Sequence, residues 1–298
     1  MDHIKKIKNL SFLLSILIFI NILFGPLVRA TDSGLACPDW PLCYGKVVPP
    51  ADFRIWMEVG HRYYSMLLGF LILGLSFLIL KNKESRVEFG FLSLLSLLVL
   101  ILQVFLGKLT VTLLLNPATV NSHLLNAIFL FSIILFIYYK SKNKLQNKIL
   151  NYSKLLKPST GFMLFTMLIL ICQLIAGGRV SSNYAGLACP DWPTCNGVYF
   201  PKLEGIIGIQ ILHRYLAYLL VFLIVLNVIF SIIKNYSYQS KLFLRMSLYA
   251  LGIQIILGVV NVLFKLPVLV TALHTGMGVF VFILVYSSIF YKITEDKI

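Results

Sequence analysis

His61, His123, His213 and His274 carry imidazoles, groups that ligate metals or move protons, inside long apolar stretches of the chain. Each has a counterpart at an offset of 151 or 152 positions: "EVGHRYY" at 58–64 answers "QILHRYL" at 210–216, and "NSHLLNA" at 121–127 answers "TALHTGM" at 271–277. The fifth histidine, His3, lies in a basic N-terminal tail. Glu58 stands three residues before His61, on the same face of a helix. The matching position before His213 is Gln210, which carries neither a proton to transfer nor a charge. Two cysteine pairs complete the set, in "GLACPDWPLC" at 34–43 and "GLACPDWPTC" at 186–195. A pair with this spacing closes a disulfide, supplies half a metal site, or acts as a redox-active dithiol.

The elements that must position these groups are membrane spans. The 298 residues are 59% hydrophobic and 12% charged, with a mean hydropathy of +0.88. Soluble domains carry about twice that charged share, roughly 25%. Apolar runs able to cross a hydrocarbon core of about 30 Å recur near 10–28, 57–80, 88–108, 119–139, 159–178, 206–233, 243–264 and 268–291. Residues 1–30 also have the basic start and small-residue end of a signal peptide. The apolar run is too long for a signal core and has a counterpart later in the chain, so we read it as a retained helix. The net charge of +15 is concentrated in Lys5, Lys6 and Lys8, in 81–86, 140–157 and 234–245, and in the C-terminal tail. All of these fall on one side if the N-terminus is cytoplasmic, as the positive-inside rule requires. That distribution accounts for the charge without a nucleic-acid partner. It predicts a multi-pass protein of the cytoplasmic membrane with both termini inside and the cysteine loops on the outer face.

The repeats extend further, since "QVFLGKLTV" at 103–111 matches "QIILGVVNV" at 254–262. The pattern predicts an all-α integral membrane protein of eight transmembrane helices, built by internal duplication as two tandem, parallel four-helix bundles. The N-terminal half is 1–140, a basic cytoplasmic linker is 141–158, and the C-terminal half is 159–298. Cysteines on the oxidising side favour a disulfide within each loop, Cys37–Cys43 and Cys189–Cys195. No histidine in either loop completes a zinc site. For the first loop a structural staple and an exchangeable disulfide both stay open. Cys172, within an apolar helix, reads as packing.

Two histidines per bundle, at matching depth on facing helices, suit axial ligation of one haem in each half. Paired imidazoles give a low-spin b-type centre, and the chain has no C-x-x-C-H for covalent attachment. Arg62 and Arg214 follow the ligand candidates directly, and Arg29 and Arg179 end the first and fifth spans. All four are candidate propionate contacts or interfacial arginines. The Glu58/Gln210 difference separates one reactive site from one passive site.

The paired loops, with "EVGHR", "SHLLNA", "LHRYLAY" and "ALHTG", resemble the haem A synthase family across residues 10–291. The resemblance implies an eight-helix membrane oxidoreductase that converts the C8 methyl of haem O to a formyl group through a hydroxymethyl intermediate, giving haem A for terminal oxidases. It implies substrate haem O facing His61 and His123, a resident haem b ligated by His213 and His274, Glu58 as the catalytic acid–base group, and a functional role for Cys37 and Cys43. A haem O synthase and terminal oxidase assembly are the implied partners. A dihaem electron-transfer protein and a haem carrier are the alternatives that the residues leave open.

Overall fold

A computed structural model describes residues 2–296. Eight long helices are present: α1 (Asp2–Ala30), α2 (Phe53–Lys81), α3 (Lys83–Thr112), α4 (Pro117–Leu145), α5 (Pro158–Ser182), α6 (Gly205–Ile233), α7 (Tyr238–Leu263) and α8 (Val268–Ile293). Each is long and apolar enough to cross a membrane, so the chain is an all-α, multi-pass membrane protein. The sequence placed all eight. Several helices outrun their predicted spans because hydropathy marks the hydrocarbon segment, whereas backbone hydrogen bonding continues into the interface. Thus α1 starts at Asp2 rather than near 10, and α4 runs on through Lys140, Lys142 and Lys144. Local chemistry fixes the ends. Asp52 caps α2 by accepting from the backbone N–H groups of Arg54 and Ile55, and Asn116 caps α4 with Pro117 in its first turn.

The helices form two compact units, one ending at Asn147 and the next beginning at Lys148. The termini of the expected halves, Met1 and residues 297–298, lie outside the described residues. In the first unit α1 packs on α2, α2 on α3, α3 on α4 and α4 back on α1, which closes a four-helix ring. The second unit closes the same way through α5, α6, α7 and α8. Small hydroxyl side chains line the first ring's contacts, with Ser11, Ser93, Ser96 and Ser141 fully or almost fully buried. They let backbones approach closely, and three of them satisfy themselves on carbonyls, Ser11 on Ile7, Ser96 on Ser93 and Ser141 on Tyr138. Large apolar residues such as Phe70, Phe77 and Phe91 face outward, as contact with lipid requires.

Within the expected linker the short strand β1 (Lys148–Leu150) pairs antiparallel with β2 (Thr294–Asp296), which follows α8, with Ile149 opposite Glu295. Lys154 meets Glu295 at 2.9 Å, which ties the start of this unit to its end. Alternation over three residues is too short a signal to predict such a strand from sequence.

At the opposite end of each ring, the cysteine loop meets the turn between that unit's third and fourth helices. Leu114 and Leu115 take the left-handed conformation at φ 50° and 58°, as do Lys265 and Leu266 at φ 57° and 62°. Two successive non-glycine residues there carry a steric cost of order 1–3 kcal/mol each. The leucines are used: Leu115 packs against Gly34, and Leu266 against Gly186 at 3.0 Å from where a Cβ would stand. Each loop is thereby seated on its own bundle.

Candidate functional site

Each loop folds around a disulfide, Cys37–Cys43 and Cys189–Cys195. The first disulfide packs with Ile55 and Val59 of α2 and with Tyr63, and the second with Ile211 and Tyr215 of α6. Cys172 is a free thiol in α5. An aspartate closes the turn beyond each first cysteine. Asp39 accepts from the N–H groups of Tyr44 and Gly45, which hold its carboxyl below the usual carboxylate range. Asp191 accepts from the Thr194 hydroxyl and from the N–H groups of Gly197 and Asn196, and its pKa falls to about 2. Both loops carry a cis peptide before a proline, Trp40–Pro41 and Trp192–Pro193.

Glu58 and Gln210 occupy the same place in their bundles, buried beneath these loops. Glu58 Oε2 accepts from the Cys37 N–H at 2.9 Å, and its other oxygen pairs with Arg62. Gln210 Oε1 accepts from the Cys189 N–H at 2.6 Å, while its Nε2 donates to the Gly186 carbonyl at 2.9 Å. The arginines grip the loops through the main chain. Arg62 donates to the carbonyls of Asp39, Pro41 and Leu42, and Arg214 to those of Cys189, Asp191 and Thr194. Arg29 is half-buried in the last turn of α1, and Arg179 is exposed in the last turn of α5.

The histidines stand one or two turns below the loops. His61 and His213 are each eight residues past the first residue of α2 and α6; His123 and His274 are each six past the first of α4 and α8. In the second bundle the His213 and His274 rings meet edge-on with centroids 6.2 Å apart. Two imidazoles bonded to one central metal at about 2 Å place their ring centres about 6 Å apart. Glycines hold both rings: a Cβ on Gly177 would lie 3.0 Å from His213 Cε1, and one on Gly258 would lie 3.0 Å from His274 Cε1. His213 Nδ1 is buried without a hydrogen-bond partner, and His274 Nδ1 lies 3.1 Å from the Gln254 carbonyl. The two buried imidazoles would suit a haem iron, which takes nitrogen ligands. Among the described residues no three His, Cys, Asp or Glu side chains converge.

The first bundle repeats this plan with one departure. His123 rests on Gly107, with 3.1 Å from a Cβ there to its Cε1. The position matching Gly177 is Gly25, but nothing lies within 4 Å of a Cβ on it. His61 instead meets the Phe24 ring edge-on, centroids 5.5 Å apart, and Phe24 packs on Gly60. The second bundle has Ala176 and Leu212 at the positions of Phe24 and Gly60, so bulk has changed sides between the two helices.

Sequence reading assigned no role to a motif that it had in view. An amide followed four residues later by glycine occurs on every odd-numbered helix: Asn21/Gly25, Gln103/Gly107, Gln173/Gly177 and Gln254/Gly258. Gln103 Nε2 lies 3.2 Å from His123 Nε2, and Gln254 Nε2 lies 3.4 Å from His274 Nε2. The signal was the repeat itself, "QVFLG" against "QIILG". An amide four residues from a glycine presents one helix face with a donor and a gap beside it, which is the seat each of these two imidazoles occupies.

The COX15-CtaA family model, described as cytochrome oxidase assembly protein, matches residues 8–55 and 51–286. A heme A synthase from Shewanella oneidensis is 31% identical over 296 residues, covering 86% of this chain and 87% of the relative. One from Halalkalibacterium halodurans is 31% identical with 85% and 88% covered, and one from Pelagibacter ubique is 26% identical with 98% and 97% covered. With a disulfide loop on each unit and a match that runs from the first helix to the last, this chain belongs to the COX15-CtaA family.

Proposed function

We propose that this protein is a haem A synthase, an oxidoreductase of the cytoplasmic membrane that converts the C8 methyl of haem O to a formyl group through a hydroxymethyl intermediate. The relatives' name and the match over the whole chain support the activity. The division of labour rests on one observation: a buried carboxylate, Glu58, sits three residues from His61, where the second bundle has the amide Gln210.

In this reading the N-terminal bundle, 1–140, takes haem O between His61 and His123. The C-terminal bundle, 159–298, keeps a haem b between His213 and His274, across the basic linker 141–158. Bound haem b supplies a one-electron redox centre for electrons leaving the substrate. The chain's own residues do the rest. With water as the formal oxygen source, methyl to hydroxymethyl takes up one oxygen atom, and each of the two oxidations removes two electrons, which leave for an external acceptor, and releases two protons. Glu58, held by the Cys37 N–H and Arg62, is placed to accept protons as a general base. Gln210 keeps the same grip on its loop without that capacity. The loops lid the outer ends of the bundles, with the termini on the cytoplasmic side. Haem O arrives from a haem O synthase, and haem A leaves for terminal oxidase assembly.

The test is mass analysis of non-covalent haems extracted from protein purified with and without a co-expressed haem O synthase. Haem b alone without the synthase, and haem b with haem A or its hydroxymethyl precursor with it, is the expected result. Haem b alone in both preparations would reject the assignment.

A further inference from the structure

Beside His123, the orientation of two side-chain amides is dictated by a backbone carbonyl. Asn126 Nδ2 lies 3.0 Å from the Val99 carbonyl and 2.8 Å from Gln103 Oε1. A carbonyl only accepts, so Asn126 must present its NH2 group there. The same NH2 group donates to Gln103, which therefore turns its oxygen toward Asn126 and its own NH2 toward His123 Nε2 at 3.2 Å. His123 Nε2 is then the acceptor, and its lone pair, the one a metal would use, is already engaged. Its other nitrogen, Nδ1, is buried without a hydrogen bond in good geometry, with the Gln103 backbone carbonyl as its neighbour.

The second bundle lacks this relay. The position matching Asn126 is Met277, which donates nothing. Gln254 Oε1 is left buried without a partner, and its Nε2 stands off at 3.4 Å from His274. His274 Nδ1 donates instead to the Gln254 carbonyl at 3.1 Å, which leaves the lone pair on Nε2 and orients the ring as metal-ligating histidines are usually oriented.

We propose that Asn126, acting through Gln103, caps the metal-binding nitrogen of His123, so that the first bundle holds its haem exchangeably while the second, with Met277 in that place, retains its own. Asn126 and Gln103 are positioning residues: a haem entering the first bundle must displace a donor that is locked in place, and the same donor closes behind a departing product. The inference rests on the assignment of substrate to the first bundle and explains how one duplicated architecture serves both a transient and a resident haem.

The experiment loads purified protein, which carries haem b, with haem O under anaerobic conditions and then adds excess apomyoglobin. Haem O and haem b remaining on the protein are quantified over time by chromatography. Asn126→Met, which installs the second bundle's residue, should slow haem O release about three- to tenfold, the worth of one hydrogen bond, and leave haem b release unchanged. Met277→Asn should speed haem b release. Unchanged or faster haem O release from Asn126→Met protein with a wild-type haem b spectrum overturns the proposal. If Asn126→Met does not fold, unchanged haem b release from Met277→Asn does so. Haem O binding that survives His123→Ala overturns the assignment of halves and the proposal with it, whereas a failure confined to Asn126→Met overturns the proposal alone.

Discussion

The carboxylate of Glu58 holds the main chain of Cys37, 21 residues earlier, at 2.9 Å. The group best placed for acid–base chemistry in the first bundle is therefore also the anchor of its disulfide loop. Gln210 does the same for Cys189, which separates the two roles: anchoring needs only an acceptor oxygen, and proton transfer needs the carboxylate.

That separation makes Glu58→Gln a clean probe. The amide oxygen can take the Cys37 N–H as Gln210 takes that of Cys189, so the fold and haem b content should persist. Haem A yield should fall by about a hundredfold or more, the usual worth of a general base. Haem A measured against haem b in extracts of the purified variant checks this, and a normal ratio removes Glu58 from the mechanism.

Gln210→Leu should instead cost stability. It strips partners from the Cys189 N–H and the Gly186 carbonyl beneath the second loop. Leaving buried polar groups unpaired costs about 1–3 kcal/mol each. A lowered thermal midpoint in detergent, with loop residues 186–198 cleaved early by protease, is the expected outcome.

The glycines under the imidazoles give a matched set. In Gly258→Ala or Gly177→Ala the new methyl meets an imidazole carbon at 3.0 Å, so the ring must shift. Haem b should then bind weakly or with an altered absorption spectrum. Gly25→Ala, with open space around it, should leave the spectrum alone and add about 1 kcal/mol of helix preference.

On the proposed division of the bundles, His213→Ala and His274→Ala should each lose haem b, while His61→Ala keeps it. The haem b to protein ratio of the three purified variants decides, and haem-free His61→Ala protein would reverse the assignment of the bundles.

The loops should tolerate mild acid. The Asp191 carboxyl has a pKa of about 2, against 3.8 ordinarily, so its stabilising bonds are complete above pH 3.8 and are lost as pH falls through about 2. Asp39 is shifted in the same direction by its bonds to Gly45 and Tyr44. Hydrogen exchange of residues 189–198, corrected for intrinsic rates, should therefore be equally protected at pH 7 and pH 5.

The sequence made the eight spans and the equivalent places of His61 and His213, and of His123 and His274, legible, because apolar length and a twice-written motif are properties of the chain itself. The loop disulfides followed from the predicted compartment. The arginine contacts did not follow. Arg62 and Arg214 donate to loop carbonyls, partners that no residue type announces. The relay from Val99 through Asn126 and Gln103 was equally hidden, since it starts at a backbone atom and crosses between helices. The Phe24/Gly60 exchange for Ala176/Leu212 lies in plain view in the alignment of the halves, but its meaning depends on which side chains touch.

The two decapeptides differ at a single position, Leu42 against Thr194, and in both the arginine below takes that residue's carbonyl. A clasp that takes the carbonyl of residue 42 is indifferent to the side chain it carries, and that side chain is exposed. Residue 42 is thus free to drift or be rewritten, for a reporter group or an altered outer surface, while the latch stays shut.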